Sequence, residues 1–169
     1  MTVPVIITAR MGKADQAWAN ALRRTHYPVE RNRVDAHITL FHHLPPSHLP
    51  EIKSRLSSIA SEYSPPAAWL TEVMFLGRGV AYRIDSPALL DIRDLLALDL
   101  QGFLIPQDQA RPRLHITVQN KVEPLVAKKL HAQLAAEFNP RPLMISGLAA
   151  HYYRGGPWES IAVWPFRGK

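Results

Sequence analysis

The tripeptide His-Ile-Thr is written twice, as His37, Ile38, Thr39 within VDAHITLFHHLP and as His115, Ile116, Thr117 within RPRLHITVQNKV, nearly half the 169-residue chain apart. Each copy sits in a short stretch rich in apolar and β-branched residues and bounded by polar residues or proline, the pattern of a strand. The surrounding order of elements recurs with it. In the first half, VPVIIT (residues 3–8) reads as a buried strand. Residues 14–27 form a helix with Trp18, Ala21, Leu22 and Thr25 at helical spacing. Residues 34–41 return to strand. A helix with Ser47 as N-cap runs to Tyr63, Pro65 and Pro66 end it, and residues 67–77 are strand-like.

The second half repeats this order. GVAYRID alternates with period two, and Ser86 followed by Pro87 is a good helix start. Residues 113–119 form the second motif strand. Residues 123–138 form a helix with Leu125, Lys129, Leu130 and Leu134 along its stripe. Residues 142–153 form a strand, Gly155-Gly156-Pro157 turns, and residues 158–166 close the chain as a strand. Two units are too few for a solenoid. The pattern predicts one bilobal α+β domain over residues 1–169, with two pseudo-symmetric, mostly antiparallel sheets, outer helices and a central cleft.

Alternation along a strand puts His37 and Thr39 on one face and Ile38 and Leu40 on the other; His115 and Thr117 are opposed in the same way to Ile116 and Val118. The apolar members can anchor each strand while the polar pairs look into the cleft. Imidazole, with an ordinary pKa near 6.5, can take a proton as one ring and give one as the other, each transfer contributing roughly 10²–10⁴-fold. Two threonine hydroxyls can donate to phosphoryl oxygens where charge develops. Two buried histidines, each satisfied by a neighbouring hydroxyl or carbonyl, are the blander alternative.

Composition narrows the chemistry. Cysteine is absent, which excludes disulfides, thiolate metal sites and cysteine nucleophiles. A chain of this length buries roughly 70% of its unfolded surface and needs no such staple. The formal charge of +6 favours anionic partners such as RNA or nucleotides, although a solubilising surface has the same signature. The N-terminal residues carry neither a leading positive charge nor a long apolar run, so a cytoplasmic protein with no membrane segment is expected. No GxGxxG or Walker A loop occurs, and no cofactor is expected.

Several neighbours of the motifs are substrate-binding candidates. Phe41 shares the parity of His37 and could stack a base. Arg113 and Gln119 share the parity of His115, as does Lys121 if the strand extends, and any of them could hold a phosphate. Arg111 flanks them. Arg10, His151, Tyr152, Tyr153 and Trp158 are candidates for the cleft rim. His42 and His48 are expected at the surface or in caps, and His26 and His131 on exposed helix faces. HHLPPSH is a poor metal site because no acidic residue stands within it.

HITLFHHLP and LHITVQNKV resemble the two signature motifs of the 2H phosphoesterase superfamily, in its 2′-5′ RNA ligase-like (LigT-like) branch. The resemblance implies a bilobal fold with internal pseudo-symmetry and metal-independent chemistry on 2′,3′-cyclic phosphates or 2′-5′ phosphodiesters. It assigns catalysis to His37, Thr39, His115 and Thr117 and implies hydrolysis to a 2′-phosphate; the resemblance leaves open which imidazole is the base, and we take His115 as base and His37 as acid. The expected partners are RNA ends or small cyclic nucleotides, with no obligate protein partner. The alternative is a binding module that uses the same cleft without turnover. A scaffold with buried motif strands would instead seal both imidazoles from solvent.

Overall fold

The computed structural model describes residues 3–169. The first half forms β1 (Val5–Met11), α1 (Lys13–His26), β2 (Ile38–Leu44), α2 (Leu49–Glu62) and β3 (Ala68–Phe75). The second forms β4 (Val80–Asp85), α3 (Pro87–Asp99), the short α4 (Pro106–Gln109), β5 (His115–Gln119), α5 (Pro124–Glu137), β6 (Arg141–Leu143), β7 (Ile145–Tyr152) and β8 (Glu159–Pro165). Two four-stranded antiparallel sheets result, in the orders β2-β1-β7-β8 and β5-β4-β3-β6.

The sheets do not coincide with the halves. β3 leaves the first unit to pair with β4, and β7 and β8 leave the second, β7 pairing with β1 and β8 with β7. The β3–β4 hairpin is tight enough for Leu76 N–H to reach Gly79 O at 2.9 Å, with Gly77 at φ +87°, where a side chain would be strained. Because each unit lends a strand to the other sheet, neither half completes a sheet from its own residues. The motif strands β2 and β5 are outermost in their sheets, and these two edges approach one another. Helix α1 packs on β5, and α4 on β2.

Four expectations for local structure change. Residues 142–153 are not one strand. The Asp15 carboxylate accepts the Met144 N–H and the Arg141 guanidinium, both at 2.8 Å, and the chain breaks there, sending β6 to one sheet and β7 to the other. Ser47 caps nothing: Pro46–His48 form a 3₁₀ turn, and α2 begins at Leu49 without a side-chain cap. On α5, Leu125 is 80% exposed and Lys129 is exposed, because the helix meets β3 and β4 through the narrower face of Ala127, Leu130 and Leu134. On α1, Thr25 faces solvent and Arg23 is buried instead. Ser86 does cap α3, its hydroxyl accepting from Leu89 N at 3.2 Å and donating to Ala67 O at 2.7 Å.

Candidate active site

Ile38 and Leu40 of β2 and Ile116 and Val118 of β5 are fully buried, so both motif strands are anchored by the residues that alternation selects. His37, Thr39, His115 and Thr117 lie on the opposite face and are half-buried. Each imidazole is held alike. His37 Nδ1 donates to Asp35 O at 2.8 Å, and His115 Nδ1 donates to Arg113 O at 2.6 Å. A carbonyl can only accept, so Nδ1 carries the hydrogen in both rings and Nε2 is the nitrogen left for proton transfer.

Strict alternation then fails at the same step in both strands. Thr39 pairs with Thr8, but the next β1 partner, Ile7, pairs with Phe41; Thr117 pairs with Ala81, but Val80 pairs with Gln119. Leu40 and Val118 are the extra residues of two matching β-bulges. A bulge turns the following side chain to the other face. Phe41 is therefore fully buried, with the Arg93 guanidinium 4.2 Å from its ring, and Gln119 is 3% exposed. Neither opens onto the cleft, contrary to the parity argument. The Gln119 Oε1 is buried without a partner among the described residues.

Two adjoining cavities meet at His37. The smaller, about 550 Å³, is lined by His37, Thr117, Arg23, Lys121 and Trp158 among others; the larger, about 890 Å³, lies over β1 and β7 and includes His37, His151 and Trp158. Lys121 is exposed in the left-handed region at φ 63°. Arg10 reaches the larger cavity and Tyr153 the smaller. Arg113 offers its carbonyl to His115 while its side chain is exposed and lines neither cavity. Arg111 is engaged by Asp91 and Asp94 of α3, and Tyr152 lies beneath Arg154. His131 bonds to Val73 O at 2.9 Å and is not free surface. Thr39 and His115 line neither cavity, but His115 stands close enough to His37 for their charges to interact.

His37 lies against Trp158, ring centroids 4.4 Å apart, and His151 lies 5.3 Å from the same indole. Burial, aided by the charges of Arg23, His115 and His151, pushes the His37 pKa down to about 4, against the opposing bond to Asp35 O. His37 is therefore neutral at pH 7. His151 is also held below its ordinary value by burial, with Nε2 3.1 Å from Thr8 Oγ1.

Three buried charged residues escaped the sequence reading. Arg23 of α1, 3% exposed, donates to Thr117 O at 3.0 Å and Asn32 Oδ1 at 3.0 Å and stacks over Tyr27. Arg93 of α3, 2% exposed, donates to Leu40 O at 3.2 Å and to Asp108 O. Each arginine follows the inner strand of its own half and braces the motif strand of the other. Asp108 is 1% exposed and accepts the backbone N–H groups of His42 and His43 and the His42 ring, all within 3.0 Å. Burial alone would raise its pKa, but these bonds outweigh that and lower it. The available signal was arginine on the apolar stripe of a helix, at Arg23 beneath Ala19 and at Arg93 between Leu89 and Leu96.

Among the described residues, no group of three or more histidines and carboxylates is placed to hold a metal, and no helix is long and apolar enough to cross a membrane. The family model of the 2′-5′ RNA ligase superfamily matches residues 12–157. TT0787 of Thermus thermophilus superposes with a TM-score of 0.69 at 15% identity over 100% of both chains. LigT of E. coli, in a structure with NADP+, gives 0.61 at 13% identity over 99% of both. Usb1 of Kluyveromyces marxianus, in a structure with uridine monophosphate, gives 0.50 at 14% identity over 96% of this chain and 98% of that one. Curated proteins yield no match.

Proposed function

Because this chain belongs to the 2′-5′ RNA ligase superfamily, we propose that it is a cytoplasmic hydrolase of 2′,3′-cyclic phosphates on RNA ends or small nucleotides, working without a metal and leaving a 2′-phosphate. The matched pair of Nδ1-clamped imidazoles on facing strand edges carries this reading. Both rings present Nε2 as the reactive nitrogen, the arrangement needed for one base and one acid.

In hydrolysis, His115 Nε2 takes a proton from water as its oxygen bonds to phosphorus. The P–O3′ bond breaks, and O3′ receives the proton of His37 Nε2. Thr39 and Thr117 hydroxyls donate to the phosphoryl oxygens. The low pKa of His37 adds a condition, because an acid must arrive charged. The substrate's anionic phosphate opposes the desolvation and raises the pKa, so the acid role of His37 requires that binding at pH 7 take up a proton. The reverse reaction, 2′-5′ ligation, exchanges the roles of the two rings.

The smaller cavity supplies favourable charge. Arg23 is buried beside it and makes no ion pair among the described residues, so its charge remains available to a bound phosphate. The test is incubation with cyclic-phosphate-ended RNA and with 2′,3′-cyclic mononucleotides in EDTA, identifying which hydroxyl keeps the phosphate. A 2′-phosphate product is expected. Saturable binding with no product after long incubation would mark a binding module instead. Calorimetry of a bound phosphate analogue in buffers of different ionisation heat reads the proton uptake, and zero uptake would exchange the two roles.

A further inference from the structure

The larger cavity, about 890 Å³, is separated from the motif threonines by His37 and Trp158, and the hydrolytic step leaves it unused. One wall is the first two turns of α1. There, Ala36, the residue before His37, has both backbone groups taken by side chains. Ala36 N–H donates to Asn20 Oδ1 at 2.8 Å, and Gln16 Nε2 donates to Ala36 O at 2.8 Å and to Asn20 Oδ1 at 3.1 Å. A backbone N–H can only donate and a carbonyl can only accept, so these bonds fix which way both amides point. Two groups are left over: Gln16 Oε1 and Asn20 Nδ2. They are an acceptor and a donor one helical turn apart, on half-buried side chains lining the cavity, with no partner among the described residues.

An adjacent acceptor and donor complement the polar edge of a nucleobase, which presents neighbouring donor and acceptor atoms. The rest of the cavity suits a flat ring. Ala9, Ala17 and Ala149 leave room along the wall, and the Trp158 indole offers aromatic surface beside the imidazole that meets the phosphate. Arg10, Lys13 and Arg33 outnumber Asp35 at the lining, a balance that favours a ligand whose phosphate is anionic.

We propose that this cavity holds the nucleobase of the nucleoside whose phosphate lies at His37, and that Asn20 and Gln16 read its polar edge. The inference rests on the phosphodiesterase reading for the position of the phosphate, but it concerns binding rather than turnover. The competing account is that the two amides only pin Ala36.

Asn20→Asp separates the two accounts. It keeps an Oδ1 acceptor for Ala36 N–H and Gln16 Nε2 but turns the free donor into an acceptor. Binding of the 2′-monophosphates of adenosine, guanosine, cytidine and uridine is measured by calorimetry for the natural protein and the variant. The added charge weakens all four by a common factor, whereas edge reading changes their ratios. A shift of about tenfold in at least one pairwise Kd ratio is expected. Four Kd values moving by one common factor, or no binding of any nucleotide at millimolar concentration, would overturn the proposal. Shifted ratios in a protein that hydrolyses no cyclic phosphate would uphold the base site and sink the hydrolytic reading. Unshifted ratios in an active enzyme would do the reverse.

Discussion

The two motif strands share a backbone plan but not an environment. In β2 and in β5, the histidine ring is tied to the carbonyl two residues back, a bulge follows the threonine, and an arginine from the opposite half braces the strand. What surrounds them differs. The far end of β2 is plugged by the Asp108 carboxylate, which also places a negative charge near Arg93. Arg23, behind β5, makes no ion pair among the described residues, and its charge is felt at Asp35 and at His37. His37 is enclosed by Trp158 and by cationic or titratable neighbours, and burial drives its pKa down to about 4. Repetition of the backbone thus yields two imidazoles held alike through Nδ1, while the side chains packed around them differ.

The largest effect should come from removing either ring. His37→Ala and His115→Ala are each expected to lower kcat/KM for a 2′,3′-cyclic nucleotide by about 10²–10⁴-fold with the circular dichroism spectrum unchanged. Full activity in one variant would break the comparison outright, since the two strands would then not share one reaction.

Asp108→Ala should cost about 3 kcal/mol of unfolding free energy, read from urea melts, because it leaves three donors at a buried strand end without their acceptor and removes the larger of two negative charges near Arg93, leaving Asp94. A loss below about 0.5 kcal/mol would mean that the plug on β2 is not a real asymmetry.

The pH dependence of stability reports on the enclosure of His37. His37 titrates near 6.5 unfolded and near 4 folded, so between these values the unfolded chain binds more protons. Its contribution is complete above pH 6.5 and is lost as the pH falls towards 4. His37→Ala should therefore flatten the stability profile in that window by about 2 kcal/mol. A residual slope of the same sign remains from His151 and His26, which burial lowers as well. An unchanged slope in the variant would mean that the His37 site is wet.

The smallest effect tests the bulge. Phe41→Leu should cost about 1 kcal/mol in stability and leave KM for nucleotides where it was, because the ring is in the core beneath Arg93. A several-fold rise in KM with stability unchanged would restore Phe41 to the cleft.

Much of this was readable along the chain. Ile38, Leu40, Ile116 and Val118 point inwards as alternation requires, and the Ser86-Pro87 helix start holds, because period and capping are local properties. The bulges were not readable: one extra residue in a strand leaves no mark in composition, so Phe41 and Gln119 were assigned the wrong face. Nor was the break at Met144, which depends on Asp15, far away in sequence.

The amino-acid order by itself determined the elements, the twin motif and the apolar residues that anchor it, since these follow from neighbours within a few positions. The pairing of β3 with β4, the placing of β7 and β8 in the sheet of β1, the buried braces at Arg23, Arg93 and Asp108, and the enclosure of His37 by Trp158 came only with the tertiary fold. Those depend on contacts between distant segments, where desolvation and unpaired charge are set by what the rest of the chain brings alongside.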